Sequence, residues 1–126
     1  RDYNQLMKSK QIPWNINTFA ELALEYVLED TRYIQETLKW MDQEREYFVK
    51  KLEKLKIIKK VYPTQANFVL VQLDEGKGTQ LYERLLKDGI LIRTCKNYKG
   101  LGDQYVRLAI KSREDNEKLL CSLTGI

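Results

Sequence analysis

Residues 90–110 read ILIRTCKNYKGLGDQYVRLAI, and the way this stretch divides decides the fold. Ile90, Leu91 and Ile92 lead into Arg93, while Val106, Leu108, Ala109 and Ile110 surround Arg107. Gly100-Leu101-Gly102 lies between the two apolar runs, with the conformational freedom a connecting loop needs. The spacing predicts two short strands joined by a glycine-containing loop, each strand carrying one arginine. A guanidinium on the core face of a strand is costly to desolvate unless an anion meets it. Two readings follow from spacing alone. The arginines hold an anionic group between them, or both point to solvent or pair with local acids.

Working outward, Asp88-Gly89 closes a helix expected from about Thr79 to Lys87, with Leu81, Tyr82, Leu85 and Leu86 inward. Asp74-Glu75-Gly76-Lys77-Gly78 turns into that helix. Ala66–Leu73 (ANFVLVQL) is the strongest strand pattern, and Ile57–Tyr62 is a shorter one ended by Pro63-Thr64. Downstream, Ser112 caps a last helix, with Asp115 three residues on and Leu119, Leu120 and Leu123 as its apolar stripe.

The first half of the chain is helical in pattern. Residues 1–12 are polar and read as a lead-in, the end of a helix from a preceding region. Pro13-Trp14-Asn15-Ile16-Asn17 reads as a tight connection. Asn17 or Thr18 caps a helix with Phe19, Leu22, Ala23, Tyr26 and Val27 on one face. Asp30 caps a longer helix to about Leu55. Ile34, Met41, Phe48 and Leu55 recur every seven residues there, but Arg45 breaks the companion series of Leu38 and Leu52. A helix packed across a sheet explains that pattern better than a coiled coil, which needs a longer unbroken seam. The expected order is α-α-β-β-α-β-β-α. It describes an α+β fold, a small, largely antiparallel sheet covered on one face by helices. Residues 1–17 are expected to be the connection from a large domain, and 18–126 a small domain.

Composition narrows the chemistry. The 126 residues are 43% hydrophobic and 32% charged, ordinary values for one globular domain. A net charge of +4 suits anionic small molecules and is too weak to argue for nucleic acid. No apolar run has the length of a membrane span. Cys95 and Cys121 have neither disulfide-framework nor metal-ligand spacing, which fits a reducing cytoplasm. There is no histidine, so Ser-His-Asp and Cys-His catalysis and His-containing zinc sites are excluded within these residues. No metal site is expected. The absence of a methionine before Arg1 reads as a fragment or a processed chain.

Other motifs reduce to structure. Gly76-Lys77-Gly78-Thr79 lacks the first glycine of a phosphate loop and reads as a turn and helix start. Gly100-Leu101-Gly102 precedes no helix, so it is no dinucleotide fingerprint. Cys95 lies near Arg93 and Lys96, which favour a thiolate, but no base lies nearby in sequence and a structural cysteine is the simpler reading.

Several stretches together resemble a known family. Gln11-Ile12-Pro13-Trp14-Asn15-Ile16-Asn17, followed by Ala20 and Ala23, is similar to the segment leaving the large domain of class I/II, pyridoxal-phosphate-dependent aminotransferase-like enzymes. Pro63-Thr64-Gln65-Ala66-Asn67-Phe68-Val69-Leu70-Val71 resembles a strand of the same enzymes. Gly89–Arg93, Asn97-Tyr98-Lys99-Gly100-Leu101 and Tyr105–Ile110 resemble their closing region, and Ser112–Leu120 their last helix. The nearest branch is that of threonine-phosphate decarboxylase and histidinol-phosphate aminotransferase. Within it, the cysteine before the Asn-Tyr-Lys-Gly-Leu loop and the Pro-Trp-Asn-Ile-Asn segment lean towards the decarboxylase of cobalamin biosynthesis.

The resemblance implies a small C-terminal domain that is inactive alone. It implies pyridoxal phosphate held mainly by an absent large domain, whose lysine matches none here. Catalytic residues are thus expected outside these residues. The resemblance assigns Arg107 to a bidentate pair with the substrate carboxylate, or with phosphate when the substrate is an amino alcohol, and Arg93 to the substrate phosphate. Asn17 is a near-site candidate whose simpler role is a helix cap. The implied partner is a small anionic substrate, a phosphorylated amino acid or amino alcohol, in a homodimeric, cytoplasmic full-length enzyme. The alternatives are an aminotransferase of the same family and a free-standing ligand-binding module.

Overall fold

The structure is a computed structural model that describes residues 2–12, 16–74 and 77–125. Among them, five helices and four strands follow in the order α1 (Asp2–Lys10), α2 (Thr18–Glu29), α3 (Thr31–Leu52), β1 (Ile58–Val61), β2 (Phe68–Leu73), α4 (Gly78–Lys87), β3 (Arg93–Thr94), β4 (Tyr105–Ala109) and α5 (Arg113–Thr124). The expected order is present, preceded by one further short helix, α1, where the lead-in was expected. Pro13, Trp14 and Asn15 of the anticipated connection, and Glu75 and Gly76 of the turn before α4, lie outside the described residues.

The chain divides into two compact units, Arg1–Thr37 and Leu38–Ile126. In the first unit, Asn17 caps α2: its Oδ1 accepts from the Ala20 amide at 2.9 Å. Asp30 caps α3 in the same way, accepting from the Tyr33 amide at 2.9 Å. Both caps satisfy amides that the first helical turn leaves unpaired. No residue of α2 is buried, and Phe19, Leu22, Tyr26 and Val27 of its expected inner face are all exposed.

The second unit holds the core. Its sheet has the order β1-β2-β4-β3, with every adjacent pair antiparallel. Val69, Val71 and Leu73 of β2 and Val106 and Leu108 of β4 face one side. There they cluster with Phe48 and Leu52 of α3, Leu81 and Leu85 of α4, and Leu119, Leu120 and Leu123 of α5. The period-two alternation of strands and the helical stripes meet in one layer, and the residues of the other sheet face are half-buried or exposed. That is the α+β sandwich read from the sequence.

Two boundaries depart furthest from expectation. Helix α3 ends at Leu52 rather than Leu55, and the Leu55 amide instead closes a tighter turn onto the Leu52 carbonyl. The strand expected to begin at Ile90 is confined to Arg93–Thr94. The Ile90 amide is drawn to the Leu85 carbonyl at the α4 exit, where Gly89 takes a φ of 72°. Ile90 is thus tied to the helix and not to β4.

A polar cluster fastens α3 to α5. Glu44, 6% exposed, accepts from Arg113 Nε (3.1 Å) and Nη2 (2.8 Å) and from Asn116 Nδ2 (3.1 Å). The Arg113 guanidinium lies 3.5 Å from the Tyr47 ring centroid. The Arg113 hydrogen bonds, followed by that of Asn116, outweigh burial and hold the Glu44 carboxyl below its ordinary pKa. Sequence reading missed this cluster, because Arg113 and Asn116 lie 69 and 72 residues along the chain from Glu44.

Candidate functional site

The other face of the sheet carries the candidate site. Because Val106 and Leu108 point into the core, Arg107 between them points the other way. The arginines therefore do not sit on the core face. Strand alternation places them opposite it, among half-buried residues of the open face.

The register brings the pair together. Arg93 of β3 is the direct cross-strand partner of Arg107 of β4. Like charges facing each other across an antiparallel pair repel and destabilise the sheet unless something neutralises them. The local pairing of both arginines with acids does not occur: among the described residues neither forms an ion pair. Arg107 Nε is buried without a hydrogen-bond partner. Buried donors are nearly always satisfied, so an orphaned one beside a second cation marks a place where an acceptor belongs.

The two guanidiniums are held differently. That of Arg107 lies over the Phe68 ring, 3.7 Å from its centroid. That of Arg93 is exposed and lies 6.0 Å from the Tyr98 ring centroid, the outer limit of such a contact. Further along the same face, Tyr62 and Tyr105 pack with ring centroids 6.2 Å apart. The neighbouring Tyr105 phenol, and then burial, push the phenol of Tyr62 up. Cys95 is buried near both arginines. Burial raises its thiol pKa, against the opposing pull of Arg107 and Arg93, so it stays a protonated, structural cysteine.

The connecting loop is anchored from below by α4. Asp103 Oδ1 accepts from the Thr79 amide (3.0 Å) and hydroxyl (2.6 Å), and the Asp103 carbonyl accepts from the Gly78 amide (2.8 Å). A Cβ at position 78 would collide with that carbonyl and crowd Val106, so glycine is required there for close approach. Gly78 and Thr79 thus open α4, as read, with the cap supplied from a distant loop. Asn17, the third candidate, belongs to the other unit, where its side chain caps α2. Phe68 escaped the reading of the sequence as a site residue. Only the β2–β4 register sets it beside Arg107.

Comparison with known proteins matches the chain to one family. The aminotransferase class I and II family matches residues 2–123. A threonine-phosphate decarboxylase of Salmonella typhimurium is 40% identical over 120 residues, covering 95% of this chain and 32% of that protein. A histidinol-phosphate aminotransferase of Methanosarcina mazei is 37% identical over 108 residues, covering 86% of this chain and 28% of its own length. Among solved structures, the histidinol-phosphate aminotransferase of Clostridium acetobutylicum superposes with a TM-score of 0.90 at 49% identity, over 94% of this chain and 35% of that one. The chain belongs to the class I and II aminotransferases. It spans about a third of the length of the curated relatives it matches.

Proposed function

We propose that this chain is the substrate-anion-binding small domain of a pyridoxal-phosphate-dependent enzyme, and that the enzyme is a threonine-phosphate decarboxylase. The observation that carries the reading is the direct pairing of Arg93 with Arg107 on the open sheet face, with Arg107 Nε buried and unpartnered. A planar guanidinium binds a carboxylate or phosphate through two parallel hydrogen bonds. In this reading Arg107 fixes the substrate carboxylate, or the phosphate of an amino alcohol, and Arg93 reaches for the substrate phosphate. The relative from Salmonella typhimurium, whose name specifies threonine phosphate, supports a substrate with two such anionic groups.

The described residues fit the substrate's anions and not a covalent cofactor site. Every described lysine is exposed, and none has the desolvated setting that makes an amine nucleophilic near neutral pH. Pyridoxal phosphate, when bound, supplies an electron sink. The residues of this chain orient the substrate by its anionic ends and leave the reacting bond to groups outside it. Residues 1–17 then form the connection to a large domain and 18–126 the small domain, of an enzyme that works as a cytoplasmic homodimer.

A second reading has its own support. The 49% identity to a histidinol-phosphate aminotransferase structure favours amino transfer on a phosphorylated amino alcohol. The full-length enzyme supplied with threonine phosphate separates the two. Release of carbon dioxide is the expected result. Transfer of the amino group to 2-oxoglutarate without carbon dioxide would replace the decarboxylase with the aminotransferase.

A further inference from the structure

The open face treats its two arginines unequally, and the difference lies in one aromatic ring. In the β2–β4 register, Phe68 pairs with Ala109 and Leu70 pairs with Arg107. Phe68 is therefore the diagonal neighbour of Arg107 on the same face, a separation that aromatic and long side chains bridge. The guanidinium carbon lies 3.7 Å from the ring centroid, close to van der Waals contact over the ring face. Among the described residues, no comparable ring covers Arg93, whose guanidinium lies 6.0 Å from the Tyr98 ring centroid.

We infer that Phe68 is a positioning residue, which holds the Arg107 guanidinium ready for the substrate's anionic group. The inference rests on the proposed role of Arg107 and adds to it how that side chain is aimed. An arginine side chain has many rotamers, and ordering it at the moment of binding costs free energy. A ring against one face of the guanidinium restricts those rotamers before substrate arrives. The ring blocks only the face, while the N–H donors radiate in the guanidinium plane and stay available for a bidentate pair. The ring also excludes water from that side, where a charge-assisted hydrogen bond gains strength. Attraction of the cation to the ring's electron-rich face needs no hydrogen bond, so no donor of Arg107 is used up in holding it.

The test uses the full-length enzyme loaded with its cofactor and supplied with threonine phosphate. Phe68→Leu keeps an apolar side chain of similar bulk and removes the ring. It is expected to raise KM roughly three- to tenfold while leaving cofactor affinity at the wild-type value, and Phe68→Tyr is expected to restore KM. In an Arg107→Ala background, Phe68→Leu is expected to add nothing, since the group it positions is gone. Should Phe68→Leu fail to fold, 3,4,5-trifluorophenylalanine at position 68 keeps the shape and withdraws electron density from the ring, and it too should raise KM. Wild-type KM in either variant, or a full Phe68→Leu effect in the Arg107→Ala background, overturns the inference. The two levels separate cleanly. If Arg107→Ala leaves substrate affinity intact, the role of Arg107 falls; if Arg107→Ala cripples binding and the Phe68 variants do not, only the positioning falls.

Discussion

At the scale of single residues, Arg93 and Arg107 share a charge and a face but not a setting. Arg107 is half-buried, ring-covered and short of a partner at Nε, whereas Arg93 is exposed at the sheet edge. A desolvated, preorganised guanidinium contributes more to binding than a mobile, hydrated one. Arg107→Ala in the full-length enzyme is therefore expected to weaken substrate binding more than Arg93→Ala, with cofactor binding unchanged in both. Steady-state KM for threonine phosphate, alongside cofactor titration, measures the difference. Equal losses, or a larger loss at Arg93, would contradict the asymmetry. Both arginines stand out in the sequence as charges within apolar runs. Phe68 does not, because a phenylalanine in ANFVLVQL looks like any other strand residue.

At the scale of elements, α3 and α5 are fastened by an ion pair with unequal partners. Glu44 is buried while Arg113 keeps about half its side-chain surface in water, so the two partners are not equivalent. Removing Arg113 leaves a buried carboxylate with Asn116 as its remaining partner, whereas removing the charge of Glu44 leaves a guanidinium that water can reach. Arg113→Met is thus expected to destabilise more than Glu44→Gln. The pH dependence follows from the lowered pKa of Glu44. Its contribution is complete above the ordinary value of 4.5 and is lost as pH falls through the depressed folded value. Denaturant unfolding of wild type and Glu44→Gln, compared from about pH 6 down to about pH 3, should show a stability gap that closes in acid. A gap independent of pH would show that Glu44 acts through packing alone.

At the scale of the whole molecule, the second unit is organised by one apolar layer and the first by its helix caps. Phe48 and Leu52 are fully buried against Val69, Val71 and Leu108. Phe48→Ala removes a ring from the centre of that layer and is expected to cost about 3–5 kcal/mol, by the usual sum of lost transfer and cavity terms. Urea unfolding of the full-length enzyme, followed by a probe in the small domain, measures it. A loss below about 1 kcal/mol would mean that the layer collapses around the gap. In the first unit, Phe19, Tyr26 and their neighbours remain exposed, so a mutation there has no core to disrupt among the described residues.

Much of this was legible in the linear chain. The helical faces, the strand alternation of ANFVLVQL, the caps at Asn17, Asp30 and Ser112, and the glycine exit at Gly89 are local, set by periodicities and capping bonds that span a few residues. The order of elements and the α+β class follow from them; Arg93 and Arg107 stand out as charges in apolar runs, and only the family resemblance gives them a site role. What the tertiary structure alone decided is everything that depends on register between distant segments. Arg93 faces Arg107, Phe68 covers one guanidinium and not the other, Asp103 caps α4, and Glu44 finds Arg113 and Asn116 across two helices. A shift of one residue in strand pairing would send each of the strand side chains to the opposite face, and no local pattern encodes that pairing. The stretch at 90–110 shows both halves of the answer. Its composition marked two cations, and the sheet decided that they face one another beside a ring.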